Sequence, residues 1–267
     1  MLNSMVNQQL AEGRLGDRRR LEEMSWTEIK AAIDNGQTTV VAAAGSMEQH
    51  GPHLPLQTDT LLGTFLVEGI VERLPGVLHG PTIPFGVSGH HMRFSGTITL
   101  DEDCFKEVVR QYVASLAKHG FRNVVIIPSH GGNFAPLGAL QEETGGAIEG
   151  ARFIAYSDLM AFVDVLNATA AADGITPAEA GAHAGEAETS LVLAAREELV
   201  SMDYAIEGYV GEFGDEQVRM LFAEGMTALT DNGILGDARP ADRQRGFAYR
   251  DQMADFLADW IRERIPA

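Results

Sequence analysis

A continuous apolar run, Thr38 to Ala44, leads straight into Gly45-Ser-Met-Glu-Gln-His-Gly-Pro-His-Leu-Pro-Leu-Gln-Thr-Asp59, and this junction constrains the fold more than any other stretch. The run is partly β-branched and carries no polar face, the pattern of a strand buried on both sides. Side chains that are costly to bury unpaired follow at once: Glu48, His50, His53 and Asp59. All four can bind a divalent metal. Glu48 and His50, at alternate positions, project from the same side of an extended chain. Pro52 and Pro55 stiffen the path back to Asp59. A carboxylate can bridge two cations, so the cluster is the beginning of a two-metal site.

The rest of the chain alternates strands with helices. Ser25-Trp-Thr-Glu28 has the capping-box pattern and predicts a helix through about Asp34. Thr60 to Leu74 has helical apolar spacing, and a short strand is expected within Val77 to Pro84. Gly86 to Gly96 reads as a loop rich in glycine and histidine. Asp101 to His119 reads as an amphipathic helix, with Phe105, Val108, Val109, Tyr112 and Leu116 on one side. Asn123 to Pro128 is a second apolar strand, with His130 just past its end. Phe134 to Glu143 starts another helix, and Arg152 to Tyr156 is a third strand ending at Ser157-Asp158. Ala178 to Glu188 leads into a helix over Thr189 to Arg196, and Gly246 to Ile265 forms the last helix. This order implies right-handed βαβ units, hence an α/β fold: a single-domain α/β/α sandwich with a mostly parallel central sheet. The domain is expected over residues 25–267, after an N-terminal extension over 1–24. Ligands of such sheets bind beyond the carboxyl ends of the strands. Glu48, His50, His130 and Asp158 are therefore expected to converge.

At 267 residues and 45% hydrophobic content, the chain fits one large domain. No apolar run approaches the roughly 18 residues of a membrane span. Met1 to Arg20 is charged and has no apolar signal segment, so the expected location is cytoplasmic, with no membrane partner. The single Cys104 excludes an internal disulfide and any multi-cysteine zinc site, and reads as a core residue at a helix start. A net charge of −18 argues against nucleic acid. The triplet Arg18-Arg-Arg20, beside Glu22 and Glu23, reads as a solvated helix face. No Gly-x-Gly-x-x-Gly follows the first strand, and Gly86-Val-Ser-Gly89 falls short of a nucleophile elbow.

Two further motifs carry chemistry. His130 lies in Pro128-Ser-His-Gly-Gly-Asn133, where glycines let backbone approach a ligand. His183-Ala-Gly-Glu-Ala-Glu-Thr-Ser190 places His183 and Glu186 near one face of a helical turn, with Glu188 turned away. Glu186 is accordingly favoured as a ligand, and Glu188 as a support or a charge at the helix N-terminus. His90 and His91, in the glycine-rich loop, are candidate substrate contacts.

Together these motifs resemble the creatininase family of metal-dependent amidohydrolases. The resemblance runs from about Trp26 to Leu235 and rests on Glu48 to Pro55, Ser95-Gly-Thr-Ile98, His130 to Asn133, His183 to Ser190 and Gly233-Ile-Leu-Gly-Asp237. It implies two divalent ions per chain, Zn²⁺ first, with Mn²⁺ or Fe²⁺ as alternatives. One ion would be held by Glu48, Asp59 and His130. The other would be held by His50, a bridging Asp59 and a further carboxylate. Creatininase takes that carboxylate from the place occupied here by Gly132, so Glu186 is inferred to replace it. His183 matches the family's catalytic histidine. The expected catalytic residues are thus His183 and Glu186, acting with a hydroxide activated by two metals. Creatininase encloses its substrate with two tryptophans, whose places fall at Ser157 and about Glu179, so creatinine is not the expected substrate. The resemblance implies instead a small cyclic amide, a formamide, or a short peptide trimmed during cofactor maturation. A metal-binding paralogue without catalysis is the competing class. A homo-oligomer, a hexamer among the candidates, is also implied.

Overall fold

The computed structural model describes residues 19–265, the side chain of Asp215 excepted. Most of the extension expected over 1–24, and Arg18 of the basic triplet, lie outside the described residues. Five strands form one sheet: β1 (Thr39–Ala44), β2 (Val77–His79), β3 (Asn123–Pro128), β4 (Ala147–Ile148) and β5 (Ala151–Ala155). Their order is β2-β1-β3-β5-β4. All neighbours are parallel except the edge strand β4, which runs antiparallel to β5. Nine helices are described: α1 (Trp26–Asp34), α2 (Thr58–Arg73), α3 (Glu102–His119), α4 (Phe134–Glu143), α5 (Leu159–Ala172), α6 (Pro177–Ala180), α7 (Glu186–Arg196), α8 (Asp215–Glu224) and α9 (Arg243–Arg262).

The strands are apolar throughout because both faces are covered. On β1 and β3, Val41, Ala43, Val125 and Ile127 face α2, α5 and α9. Ala42, Ala44, Val124 and Ile126 face α3 and α4 on the other side. The alternation is the period of a strand, and the outcome is the α/β/α sandwich expected from sequence. The capping box of α1 forms as the sequence predicts, Ser25 accepting from Glu28 N and Glu28 from Ser25 N.

Several expectations are corrected. Cys104 is exposed, outside the face on which Phe105, Val109 and Val113 of α3 are buried and Tyr112 and Leu116 pack beside them; Val108 is exposed as well. Arg20 does not sit on a solvated helix face; it pairs with Glu22 at 2.9 Å and reaches Glu68 of α2 at 2.8 Å. The strand expected within Val77 to Pro84 ends at His79, and beyond it only Ile83 bridges to Ala44. α7 begins at Glu186, three residues before the helix read from sequence. Helices α5, α6 and α8 are additional to the sequence reading. α5 has apolar or alanine residues on nearly every side, so it shows no amphipathic period. Among the described residues no helix is long and apolar enough to cross a membrane.

Parallel pairing puts the carboxyl ends of β1 and β3 side by side, Ala44 opposite Pro128. Ser129 N extends the pairing to Ala44 O at 3.0 Å. The segments that leave these two strands therefore start as neighbours.

Candidate metal centre

Glu48 and His50 follow β1, Asp59 lies in the first turn of α2, and His130 follows β3. The structure brings all four together at the sheet's carboxyl edge. Glu48 and His50 are fully buried, Asp59 and His130 nearly so. His50 Nε2 is 3.2 Å from Asp59 Oδ1, and His130 Nδ1 lies 3.2 Å from Glu48 Oε1 and 3.4 Å from Asp59 Oδ2. Asp59 thus faces both imidazoles, the position required of a bridging carboxylate. His183 joins from the segment before α7, its Nδ1 3.8 Å from Glu48 Oε1 and its ring 4.1 Å from that of His50.

Each of these three imidazoles is anchored in the same way. His50 Nδ1 donates to Glu48 O at 3.2 Å, His130 Nε2 to Val87 O at 3.0 Å, and His183 Nε2 to Gln49 O at 2.7 Å. With one nitrogen protonated against a backbone carbonyl, the other turns a lone pair toward the carboxylates. Glu48 Oε1, His50 Nε2 and Asp59 Oδ2 have no hydrogen-bond partner although buried. Buried polar atoms are normally satisfied, so convergent orphans of this kind fit a cation. In the metal-free arrangement protons fill that role. Burial opposes the charge on His50, but Asp59 and then Glu188 outweigh it and raise it to about 9. Burial likewise opposes the charge on Glu48, and His130 and His91 outweigh it, holding the carboxyl below the usual range. Burial, with His50 beside it, lowers His183 to about 3, so this ring is neutral.

The two glutamates of α7 exchange the places expected for them. Glu186 is fully buried, yet its carboxylate points away from the centre. Oε1 accepts from Arg245 Nε at 2.5 Å and Ser190 Oγ at 2.6 Å, and Oε2 from Tyr249 OH at 2.5 Å. Three donors hold it, two from α9 and one from its own helix. Glu188 instead comes 3.6 Å from His50 Nε2, and its other contact is an acceptance from Ala184 N at 2.5 Å. The reason is the helix start. Because α7 begins at Glu186, His183 lies outside the helix, and the helical spacing that linked it to Glu186 does not apply.

Gly132 explains why a carboxylate is needed from elsewhere. A Cβ built there would lie 2.2 Å from Val87 O and 2.6 Å from His130 Nε2. The backbone of residue 132 is tucked against the same carbonyl that anchors His130, and no side chain fits.

Other expected residues stand apart. Asp158 is exposed and caps α5, accepting from Ala161 N at 3.0 Å. His53 is buried but turns to Thr189 Oγ1 at 2.9 Å. His91 reaches the centre, its Nε2 3.3 Å from Glu48 Oε1, whereas His90 stacks over His130 at 5.6 Å and meets Phe222 of α8 at 4.7 Å. Ser157 is exposed and Glu179 is bound into the capping box of α6, so neither forms an aromatic wall. Trp26 is exposed, and Trp260 packs on Tyr156 in the helical layer. Gln49 was missed by the sequence reading. Its side chain contacts His91 at 3.0 Å, His183 at 3.1 Å and Gly233 O at 3.1 Å. Its place between Glu48 and His50 in the sequence makes it look like a spacer.

Known proteins resemble this chain in sequence and in fold. The family model described as creatinine amidohydrolase matches residues 22–261. A mycofactocin precursor peptide peptidase of Mycobacterium ulcerans (strain Agy99) is 30% identical, covering 90% of this chain and 91% of its own. A creatinine amidohydrolase of Pseudomonas putida is 28% identical, covering 91% and 96%. A manganese form of creatininase superposes with a TM-score of 0.75 at 26% identity, over 94% of this chain and 100% of that one. A variant of creatininase described as Zn–Zn type superposes with a TM-score of 0.74 at 26% identity, with the same coverage. With the motifs, the sandwich and the family match all extending over the same residues, the chain belongs to the creatininase family.

Proposed function

We propose that the protein is a metal-dependent amidohydrolase that cleaves a C–N bond other than that of creatinine, using two divalent cations. The observation that carries the reading is the set of three imidazoles anchored on backbone carbonyls around orphaned oxygens of Glu48 and Asp59. The donor set of imidazole and carboxylate suits Zn²⁺ or Mn²⁺. Glu48, Asp59 and His130 would hold one cation, and His50, Asp59 and Glu188 the other. Glu188 takes the role that the sequence assigned to Glu186.

Bound there, two divalent cations polarise an amide carbonyl and acidify a water molecule. The chain's own residues do the rest. His183 is neutral and its Nδ1 lone pair faces the centre, so it can accept a proton there and hand it to the leaving nitrogen. Gln49 O holds the far side of that ring, which fixes the reactive nitrogen. The retained proton carrier argues against a metal-binding protein without catalysis.

Ser157 and Glu179 leave a planar ring without aromatic walls, a loss of up to about 1.5 kcal/mol for each stacking contact. A peptide or other extended amide is favoured because the relatives include a mycofactocin precursor peptide peptidase as well as a creatinine amidohydrolase. The test is mass spectrometry of products from creatinine, formamides, cyclic amides and short peptides with added Zn²⁺ or Mn²⁺. Turnover of a non-creatinine amide is the expected result. Creatinine as the best substrate would overturn the substrate reading, and protein that binds no metal would overturn the mechanism.

A further inference from the structure

His91 approaches Glu48 as closely as the candidate ligands do, and Glu48, His91 and His183 each offer an atom within 4.8 Å of the others. Distance alone would make His91 a ligand. We propose that Gln49 fixes His91 as the tautomer protonated on Nε2, so that His91 turns an N–H toward the Glu48 carboxylate and is a positioning residue, not a metal ligand. The inference rests on the metal centre proposed above.

The backbone dictates the orientation of the Gln49 amide. Gln49 Oε1 accepts from Gly51 N at 2.9 Å, and Gln49 Nε2 donates to Gly233 O at 3.1 Å. Reversing the amide would set oxygen against a carbonyl and NH₂ against an N–H, so both contacts would become repulsive. The approach is close enough that a Cβ on Gly233, at φ +81, would lie 1.9 Å from Gln49 Oε1. The second amide hydrogen points at His91 Nδ1, 3.0 Å away. His91 Nδ1 therefore accepts, and a neutral imidazole that accepts on Nδ1 carries its proton on Nε2. That Nε2 faces Glu48 Oε1 at 3.3 Å. As N–H it is attracted to the carboxylate, whose Oε1 keeps no hydrogen-bond partner. As a lone pair it would face oxygen lone pairs.

His183 shows the opposite arrangement within the same cluster. Its Nε2 hydrogen goes to the Gln49 backbone carbonyl. The 3.1 Å approach of the Gln49 side-chain nitrogen to this ring atom is thus proximity without a hydrogen bond, since both amide hydrogens are already engaged. One glutamine residue sorts two histidines: its side chain makes His91 a donor toward the centre, and its backbone makes His183 an acceptor there. Residues that orient ligands in this way commonly affect metal affinity by about 10- to 100-fold.

The experiment is ¹⁵N NMR of histidine-labelled protein, with His91 assigned by its absence in His91→Gln, measured in metal-free protein and again with two equivalents of Zn²⁺. His91 should show a protonated Nε2 and an unprotonated Nδ1 in both states. His50 and His130 should change on zinc loading. Gln49→Glu, which turns the amide donor into an acceptor, should move the His91 proton to Nδ1. By elemental analysis His91→Gln, whose amide can still donate, should keep two ions. His91→Leu should keep two but bind the Glu48-side ion about 10- to 100-fold more weakly. An Nδ1–H tautomer in metal-free wild-type protein, a zinc-bound signal from His91 Nε2, or loss of one ion from His91→Gln would overturn the proposal. Protein that binds no zinc but keeps the Nε2–H tautomer would instead sink the metal reading and leave the tautomer assignment standing.

Discussion

Two buried carboxylate centres lie on either side of the start of α7, and they are finished differently. Around Glu186, Arg245, Ser190 and Tyr249 satisfy both oxygens, and Asp242 N continues the network to Ser190 Oγ at 2.9 Å. Around Glu48 and Asp59, among the described residues, no lysine or arginine enters, the counter-charges are imidazoles, and two carboxylate oxygens have no hydrogen-bond partner. The first centre is a closed network that docks α9 on α7. The second is an open one, which the proposed cations would complete. Burial alone does not distinguish them, since Glu48 and Glu186 are equally buried. The supply of hydrogen-bond donors does.

The largest expected effect comes from breaking the open centre at its shared member. Asp59→Ala should remove both metals and lower turnover by orders of magnitude, read by elemental analysis and product formation; loss of a single ion would show that Asp59 does not bridge. Next comes the direct contrast. Glu188→Gln should lose the second ion and most activity while folding normally. Glu186→Gln should keep two ions but destabilise the protein, by up to the roughly 3–5 kcal/mol associated with breaking a buried ion pair. Calorimetry with metal analysis on both variants decides, and the reverse pattern would restore Glu186 as the ligand. Gly132→Glu tests the missing carboxylate. It should not rescue Glu188→Gln, because its Cβ meets Val87 O, and it should weaken the His130-side ion by displacing that carbonyl. Recovery of the second ion in the double variant would show that this loop can yield.

The smallest effect concerns His79, which is buried with both ring nitrogens unpartnered and lies under the opposed charges of Glu22 and Arg20. Burial lowers it to about 4. Its pKa is depressed relative to an unfolded value near 6.5, so the stability linked to its neutral form is full above about pH 6.5 and is lost as pH falls toward 4. His79→Leu should flatten the dependence of melting temperature on pH in that window. An unchanged slope would mean that His79 does not titrate there. Orphaned atoms therefore mark a metal site only where they converge on carboxylates.

Much of this was legible in the chain. The continuous apolar runs of β1 and β3 gave their burial on both faces, and parallel pairing gave the meeting of Glu48, His50 and His130. Asp59 was legible because two prolines limit the path of the returning chain. The α7 glutamates were not, because a helix start misplaced by three residues reverses which side chain faces the centre. Arg245 and Tyr249 lie more than fifty residues from Glu186, and no local pattern announces a partner at that distance. The role of Gln49 depends on Gly233 in the same way.

The absence of room for a side chain at Gly132 has a kinetic consequence. A carboxylate next to His130 would ride on the end of a central strand, among the last parts of a fold to open. Glu188 rides on the first turn of a helix held by its contacts with α9. Local opening of that turn costs less than global unfolding. Exchange of the second ion should then follow the opening of α7, with a rate matching hydrogen exchange of its first-turn amides, while the Glu48-side ion leaves on a slower clock.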